Sequence, residues 1–227
     1  MSRTRVKFCG MTRAEDAVAA AACGADAIGL VFYKQAPRCI TIERARQILA
    51  ALPALITPVA LFVDEQTRVI LDLVEELRIR HVQLNGHEPP EQVAELRGLS
   101  VIKAVRVRGG ELGAELSIWR RAVASHQLTN LKGLVLETGG TTQPGGTGVT
   151  NDWDAVRRHR DAGDFAGLPP LIAAGGLTPE TVAAVVRDLR PSAVDVSSGV
   201  ESGMGQKSVE KMRGFAAAVR AADESGR

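Results

Sequence analysis

Short apolar runs alternate with helix-like segments along nearly the whole chain. Eight of these runs predict strands: Val6–Cys9, Ala27–Phe32, Pro58–Phe62, His81–Leu84, Val101–Val105, Leu134–Glu137, Leu171–Ala174 and Ala193–Ser197. The helical segments that follow them in turn are Arg13–Cys23, Ile42–Leu52, Thr67–Leu77, Pro89–Leu96, Leu112–Ala124, a shorter one from Trp153, one capped by Thr178 with Pro179 at its first position, and Val209–Ala222. Apolar residues at helical spacing within these segments indicate helices that bury one face.

The predicted strands are continuous apolar runs, as expected of parallel strands that are buried on both faces. Eight βα units in 227 residues predict an α/β fold, a compact (β/α)8 TIM barrel that forms a single domain over residues 1–227, with its core at about 5–222. A doubly wound open sheet is the alternative. The barrel is favoured because no GxGxxG fingerprint follows the first strand.

Composition narrows the class of partner. Lys and Arg number 28 and Asp and Glu 26, and aromatic residues make up only 4% of the chain, which disfavours nucleic acid as a partner. No apolar run approaches the roughly 20 residues of a membrane span. The three cysteines, Cys9, Cys23 and Cys39, are widely spaced and form no CxxC pair, so we expect neither a disulfide framework nor a zinc site. These features predict a cytoplasmic protein with a small-molecule ligand, no metal and no membrane partner.

Two small-residue turns follow the last two strands and suggest an anion site. Gly175-Gly176 comes after the seventh strand, and Ser197-Ser198-Gly199 comes after the eighth. Barrels often bind phosphate on backbone N–H groups at this point. The alternative is that these glycines only form tight βα turns. Their occurrence on adjacent units favours phosphate binding.

Three side chains at the predicted barrel mouth carry candidate chemistry. Cys9 is either a small buried residue or a thiolate base, and Lys7, which points the same way, would supply positive charge. Glu137 ends an apolar strand, where burial would raise its pKa and suit it as a general acid; the alternative is a hydrogen bond to a loop or helix end. Arg38 suits a carboxylate or phosphate, although a surface role is equally compatible with its position. No histidine pair has metal-ligand spacing.

Several motifs, in order over residues 5 to 220, resemble the phosphoribosylanthranilate isomerase family. They are Lys7–Thr12, Gly24–Ala27, Gly29–Phe32, Pro37-Arg38, Val82–Leu84, Gly145–Gly148 with Asp152-Trp153, Gly175–Leu177 and Asp195–Glu201. The resemblance implies a (β/α)8 barrel and an Amadori rearrangement of N-(5′-phosphoribosyl)anthranilate to the 1-deoxyribulose 5-phosphate in tryptophan biosynthesis. It also implies that no cofactor takes part, and it leaves a monomer or a homodimer open.

The resemblance also assigns residues. Cys9 matches the family base and Glu137 the family acid, and the implied substrate-binding residues are Lys7, Arg38, Gln83, Asn85 and Asp195. The implied phosphate-binding residues are Gly146, Gly175, Gly176, Ser197, Ser198 and Gly199.

Two positions depart from the family pattern. The family acid is an aspartate, so Glu137 reaches about one methylene farther, and a misplacement of about 1 Å can cost roughly a hundredfold in rate. Asn85 replaces a family histidine and keeps hydrogen bonding but not proton transfer. These departures leave two alternatives: a paralogue that isomerises a related aminoaldose phosphate, and a barrel that binds a sugar phosphate without turnover.

Overall fold

A computed structural model describes residues 3–107, 112–125, 128–138 and 151–225. The strands are β1 Arg5–Phe8, β2 Ala27–Val31, β3 Thr57–Phe62, β4 His81–Leu84, β5 Ser100–Val107, β6 Leu131–Thr138, β7 Leu171–Ala173, β8 Ala193–Val196, β9 Glu201–Gly203 and β10 Gln206–Lys207. The helices are α1 Ala14–Ala22, α2 Ile42–Ala51, α3 Thr67–Leu77, α4 Pro90–Glu95, α5 Leu112–Ala124, α6 Trp153–Asp161, α7 Val182–Leu189 and α8 Val209–Ser225, with a 3-10 turn at Ser198–Val200.

The first eight strands close into one parallel barrel in chain order. The ring closes because β1 pairs with β8 in register from Arg5 opposite Ala193 to Phe8 opposite Val196. The predicted (β/α)8 barrel is therefore confirmed, and the alternative of an open sheet is wrong. All eight strands present their carboxyl ends at the same mouth of the barrel.

Helices pack around the barrel through apolar faces, as their sequence spacing predicts. In α3 the buried residues Ile70, Val74 and Leu77 lie three to four positions apart and face the barrel. Phe215 of α8 meets Phe8 of β1 edge-to-face, with ring centroids 6.0 Å apart. Within the described ranges, no helix has the length and apolar character needed to cross a membrane.

The start of α7 differs from the prediction. Residues 178–181 form a turn, and the helix begins at Val182, so Thr178 does not cap it and Pro179 is not its first residue. The physical reason is a local hydrogen bond: the Thr181 hydroxyl accepts from the Thr178 N–H at 3.0 Å. This bond pairs the Thr178 N–H within the turn, before the helix begins.

A short antiparallel hairpin of β9 and β10 lies between β8 and α8, where the sequence predicted no strand. Strands of three and two residues are too brief to give an apolar alternation that sequence can reveal. The hairpin brings Glu201 and Lys207 to the mouth of the barrel, and both are buried.

Candidate active site at the barrel mouth

One cavity opens at the carboxyl ends of the strands, with an empty volume of about 840 Å³ including open solvent. Ten of the sequence-predicted site residues line it: Cys9, Arg38, Asn85, Glu137, Gly175, Gly176, Asp195, Ser197, Ser198 and Gly199. Lys7 and Gln83 are buried but are not among the lining residues. Gly146 lies outside the described residues.

Cys9 follows β1 and is held at the mouth by the backbone. Its N–H donates to the Val196 carbonyl at 2.8 Å, which extends the pairing of β1 with β8 by one residue. Burial raises the pKa of the Cys9 thiol, and Asp195 adds to this effect, whereas Lys7 and Lys207 favour the thiolate. The nearby ammonium groups therefore oppose the cost of forming a buried thiolate base.

Lys7 and Asp195 form an ion pair beneath the cavity. The two residues are register partners on β1 and β8, and Lys7 Nζ lies 2.7 Å from Asp195 Oδ2. Burial alone would lower the pKa of Lys7, but Asp195 and Cys9 raise it above its ordinary value, so the side chain stays charged. Asp195 Oδ1 is buried and has no hydrogen-bond partner among the described residues, which leaves one acceptor in the lining of the cavity.

Glu137 lies near the end of β6 in the same cavity. Burial raises the pKa of its carboxyl group, and the negative charge of Asp195 raises it further. A hydrogen bond from Asn85 and the charges of Lys7 and Lys103 act in the opposite direction. The net effect keeps a proton on Glu137 to a higher pH than on an exposed glutamate, which suits a general acid.

Arg38 is buried and anchored by a residue to which sequence reasoning gave no role. Its Nε and Nη2 donate to the two carboxylate oxygens of Glu201, each at 2.7 Å. Lys207 Nζ also reaches Glu201, at 2.9 Å from Oε1, and donates to the Ser197 carbonyl at 3.0 Å. Two cations share one carboxylate, so this cluster keeps a net positive charge beside the cavity.

The Glu201 cluster predicts a measurable loss of stability. Glu201→Gln leaves Arg38 and Lys207 buried without their counter-charge, and removal of one partner from a buried pair costs about 3–5 kcal/mol. We expect urea unfolding at neutral pH to show that the free energy of unfolding falls by this amount in Glu201→Gln. Glu76→Gln, which breaks an exposed pair with Arg46, is the matched control and should cost no more than about 1 kcal/mol.

The same comparison has a definite pH dependence. Burial alone would raise the pKa of the Glu201 carboxyl group, but Arg38 and Lys207 hold this pKa below its ordinary value. The stabilisation is therefore complete above the pKa of an unfolded glutamate and is lost as the pH falls through the lower folded pKa. The difference in free energy of unfolding between wild type and Glu201→Gln should become smaller as the pH falls. A difference that does not change with pH would contradict this account.

The two predicted phosphate turns meet at the mouth of the barrel. Gly175 and Gly176 both have positive φ, 92° and 65°, which turns the chain sharply after β7. Neither the Gly175 N–H nor the Gly176 N–H donates a hydrogen bond to a backbone carbonyl of the described residues. The neighbouring residues Ser198 and Gly199 begin the 3-10 turn, where N–H groups have no partner within the turn.

Gly199 has no room for a side chain, which leads to a prediction. A Cβ at this position would lie 1.9 Å from the Leu177 carbonyl oxygen, so Gly199→Ala must push the two turns apart. We expect the affinity of these turns for a phosphorylated ligand to fall about tenfold or more, because a misplacement of about 1 Å is enough for such losses. Gly203→Ala is the control, since a Cβ there meets nothing within 4 Å; an affinity equal to that of this control would contradict the prediction.

Two charged residues to which the sequence analysis assigned no role lie behind the mouth. Lys103 Nζ lies 3.0 Å from Glu88 Oε2, and both side chains are almost fully buried. No local pattern marks this pair, because the partners become neighbours only when β4 and β5 align. Among the described residues, no group of three or more His, Cys, Asp or Glu side chains has the geometry of a metal site.

Comparisons with known proteins agree with this architecture. The sequence profile of the N-(5′-phosphoribosyl)anthranilate isomerase family matches residues 6–218. A Pseudomonas fluorescens N-(5′-phosphoribosyl)anthranilate isomerase is 42% identical over 229 residues, covering 99% of this chain and 100% of that protein. The Azotobacter vinelandii enzyme of the same name is 42% identical over 97% of this chain and 99% of its own length.

Solved structures give the same result. The phosphoribosyl anthranilate isomerase of Thermotoga maritima superposes with a TM-score of 0.82 at 34% identity, covering 96% of this chain and 99% of that one. A phosphoribosyl anthranilate isomerase solved with reduced 1-(o-carboxyphenylamino)-1-deoxyribulose 5-phosphate matches with a TM-score of 0.80, also at 34% identity and with the same coverage. The chain therefore belongs to the N-(5′-phosphoribosyl)anthranilate isomerase family.

Proposed function

We propose that this chain isomerises N-(5′-phosphoribosyl)anthranilate to 1-(2-carboxyphenylamino)-1-deoxyribulose 5-phosphate, with Glu137 as general acid and Cys9 as general base. As a member of its family, the chain is an aldose–ketose isomerase of tryptophan biosynthesis. The observation that carries the assignment of these residues is that a thiol and a carboxylic acid line one cavity beside two glycine turns.

The first step opens the sugar ring. The Glu137 carboxylic acid gives its proton to the furanose ring oxygen as the bond from that oxygen to C1′ breaks. The lone pair of the anthranilate nitrogen forms the C1′=N bond of a protonated imine, and Glu137 becomes a carboxylate. The raised pKa of Glu137 supports this role, because the group must hold its proton until the ring opens.

The second step moves the double bond. The Cys9 thiolate removes the proton from C2′, the C2′–H electrons form C1′=C2′, and the imine electrons return to nitrogen. The enolamine then tautomerises to the C2′ ketone as C1′ gains a proton and the C2′ hydroxyl group loses one. Burial raises the pKa of the Cys9 thiol overall, but Lys7 and Lys207 favour the thiolate by their charge, and this is the feature that supports Cys9 as the base. The substrate nitrogen accepts the electrons, so the reaction needs no cofactor.

Two anionic groups of the substrate would fix its orientation. We assign the anthranilate carboxylate to Arg38, whose Nε and Nη2 are bound to Glu201 while Nη1 makes no hydrogen bond to the described residues. We assign the phosphate to the turns at Gly175-Gly176 and Ser197-Ser198-Gly199, which line the cavity and whose small residues let backbone N–H groups approach an anion. Substrate held at both ends places C1′ and C2′ between Glu137 and Cys9.

A fluorescence assay tests the proposed reaction. Freshly made phosphoribosylanthranilate is added to the protein, and loss of anthranilate fluorescence is followed against the spontaneous breakdown of the substrate. We expect rapid loss above that background. Loss no faster than background would contradict the proposed function and favour either a related aminoaldose phosphate as substrate or a binding role without turnover.

We also propose that the enzyme works in the cytoplasm, where its pathway supplies a soluble phosphorylated substrate. Its state as a monomer or a homodimer stays a prediction, for which sedimentation is the direct measurement.

A further inference from the structure

Gln83 and Asn85 form a buried pair next to the proposed acid. Both side chains leave the end of β4, and they are 1% and 3% exposed. Gln83 Nε2 donates to Asn85 Oδ1 at 2.9 Å. Asn85 and Glu137 line the same cavity, and a side-chain interaction with Asn85 lowers the pKa of the Glu137 carboxyl group. The Gln83–Asn85 pair therefore leads from the barrel interior to the cavity beside Glu137.

The chemistry of the Asn85 amide determines which of its two groups faces Glu137. An asparagine side chain has one acceptor, its carbonyl oxygen, and one donor, its NH2 group. Because Gln83 donates to the oxygen of Asn85, the NH2 group of Asn85 is the part left to face Glu137. A donor facing Glu137 stabilises the carboxylate that appears when the acid has released its proton.

The backbone around Asn85 is also fixed, so the side chain has little freedom to move away. The Asn85 N–H donates to the Phe62 carbonyl at 2.9 Å. Lys103 Nζ donates to the Gly86 carbonyl at 2.8 Å, and Glu88 Oε1 accepts from the Gly86 N–H at 2.9 Å. The buried Lys103–Glu88 pair therefore clamps the residue that follows Asn85.

We propose that Gln83 is a positioning residue for the reaction: it holds the Asn85 amide so that its NH2 group donates to the Glu137 carboxylate as the sugar ring opens. This inference rests on the proposed role of Glu137 as the acid. A donor aimed at a charge that develops during the reaction lowers the barrier, because it is already oriented before the charge appears. Gln83 need not touch the substrate to have this effect.

The protonation of Glu137 is the most direct readout. Glu137 also feels Asp195 from β8, Lys7 from β1 and Lys103 from β5, and none of these changes in the variants below. The side-chain carboxyl 13C resonance of Glu137, assigned by its absence from Glu137→Gln, reports the pKa in the unliganded protein. Gln83→Met keeps the volume but not the hydrogen bond, so we expect it to raise the pKa of Glu137 by about 1.

Turnover supplies a second, independent readout. We expect Gln83→Met to lower kcat about tenfold with little change in KM, because the lost contact acts in the reaction and not in substrate binding. Asn85→Ala should raise the pKa of Glu137 at least as much and lower kcat further. If Gln83 acts through Asn85, the double variant should have the kcat of Asn85→Ala alone, whereas independent losses that multiply would overturn the proposal.

Controls separate this role from general damage. Gln92→Met removes a glutamine hydrogen bond of 2.7 Å to the Glu65 carbonyl, away from the cavity, and should leave the pKa of Glu137 and kcat unchanged. If Gln83→Met does not fold, Asn85→Ala carries the test, and an unaltered pKa of Glu137 there overturns the proposal. Wild type without turnover would contradict the proposed function instead, and the 13C titration still tests the hydrogen-bond chain.

Discussion

Cys9→Ala is expected to lower kcat by about 10²- to 10⁴-fold, the range in which a positioned general acid or base contributes. The reason is that the methyl group of alanine cannot remove the C2′ proton, and no other described thiol or carboxylate lining the cavity stands in the place of Cys9. The protein itself should remain folded, since the change removes only one sulfur atom from a site that is open to the cavity.

The measurement is single-turnover fluorescence with phosphoribosylanthranilate, together with binding of the reduced product analogue. Cys23→Ala is a matched control, because Cys23 is also 7% exposed but lies at the end of α1, outside the cavity. We expect the analogue to bind both variants and only Cys9→Ala to lose turnover. Turnover of Cys9→Ala close to that of Cys23→Ala would remove Cys9 from the mechanism.

The barrel could be predicted from sequence because its strands are buried on both faces and are marked by continuous apolar runs. Strand β4 and helix α3 begin and end at the residues that the pattern predicts. Helix α7 was predicted to begin too early, since a threonine followed by a proline is equally suited to a helix cap and to a turn. The β9–β10 hairpin was missed because two very short strands carry no periodic signal.

The lining of the site was predictable for a related reason: residues just past the ends of parallel strands must meet at one mouth. The residues that support the site from behind could not be predicted in this way. Glu201 lies in a motif that sequence analysis quoted, but its partner Arg38 is 163 positions away, and only barrel closure brings them together. Lys207 lies in a polar stretch that looks like surface, yet its side chain is fully buried beside Glu201.

Glu137→Gln is the second change expected to have a large effect. Glutamine keeps the size of the side chain and an oxygen that accepts the hydrogen bond of Asn85, so substrate binding should be retained. Its amide cannot protonate the ring oxygen, and kcat should fall by about 10²- to 10⁴-fold. Glu95→Gln on α4, where the carboxylate accepts a hydrogen bond from Thr67 and lies outside the cavity lining, is the control and should keep full activity.

Glu137→Asp tests the departure from the family pattern. Aspartate keeps the acid but withdraws it by about one methylene, and a displacement of about 1 Å costs on the order of a hundredfold. Because Glu137 in this chain already contacts Asn85, we expect Glu137→Asp to be slower than wild type but faster than Glu137→Gln. Steady-state kcat of the three proteins gives the order, and an aspartate variant as fast as wild type would mean that the longer side chain is not what sets the position of the acid.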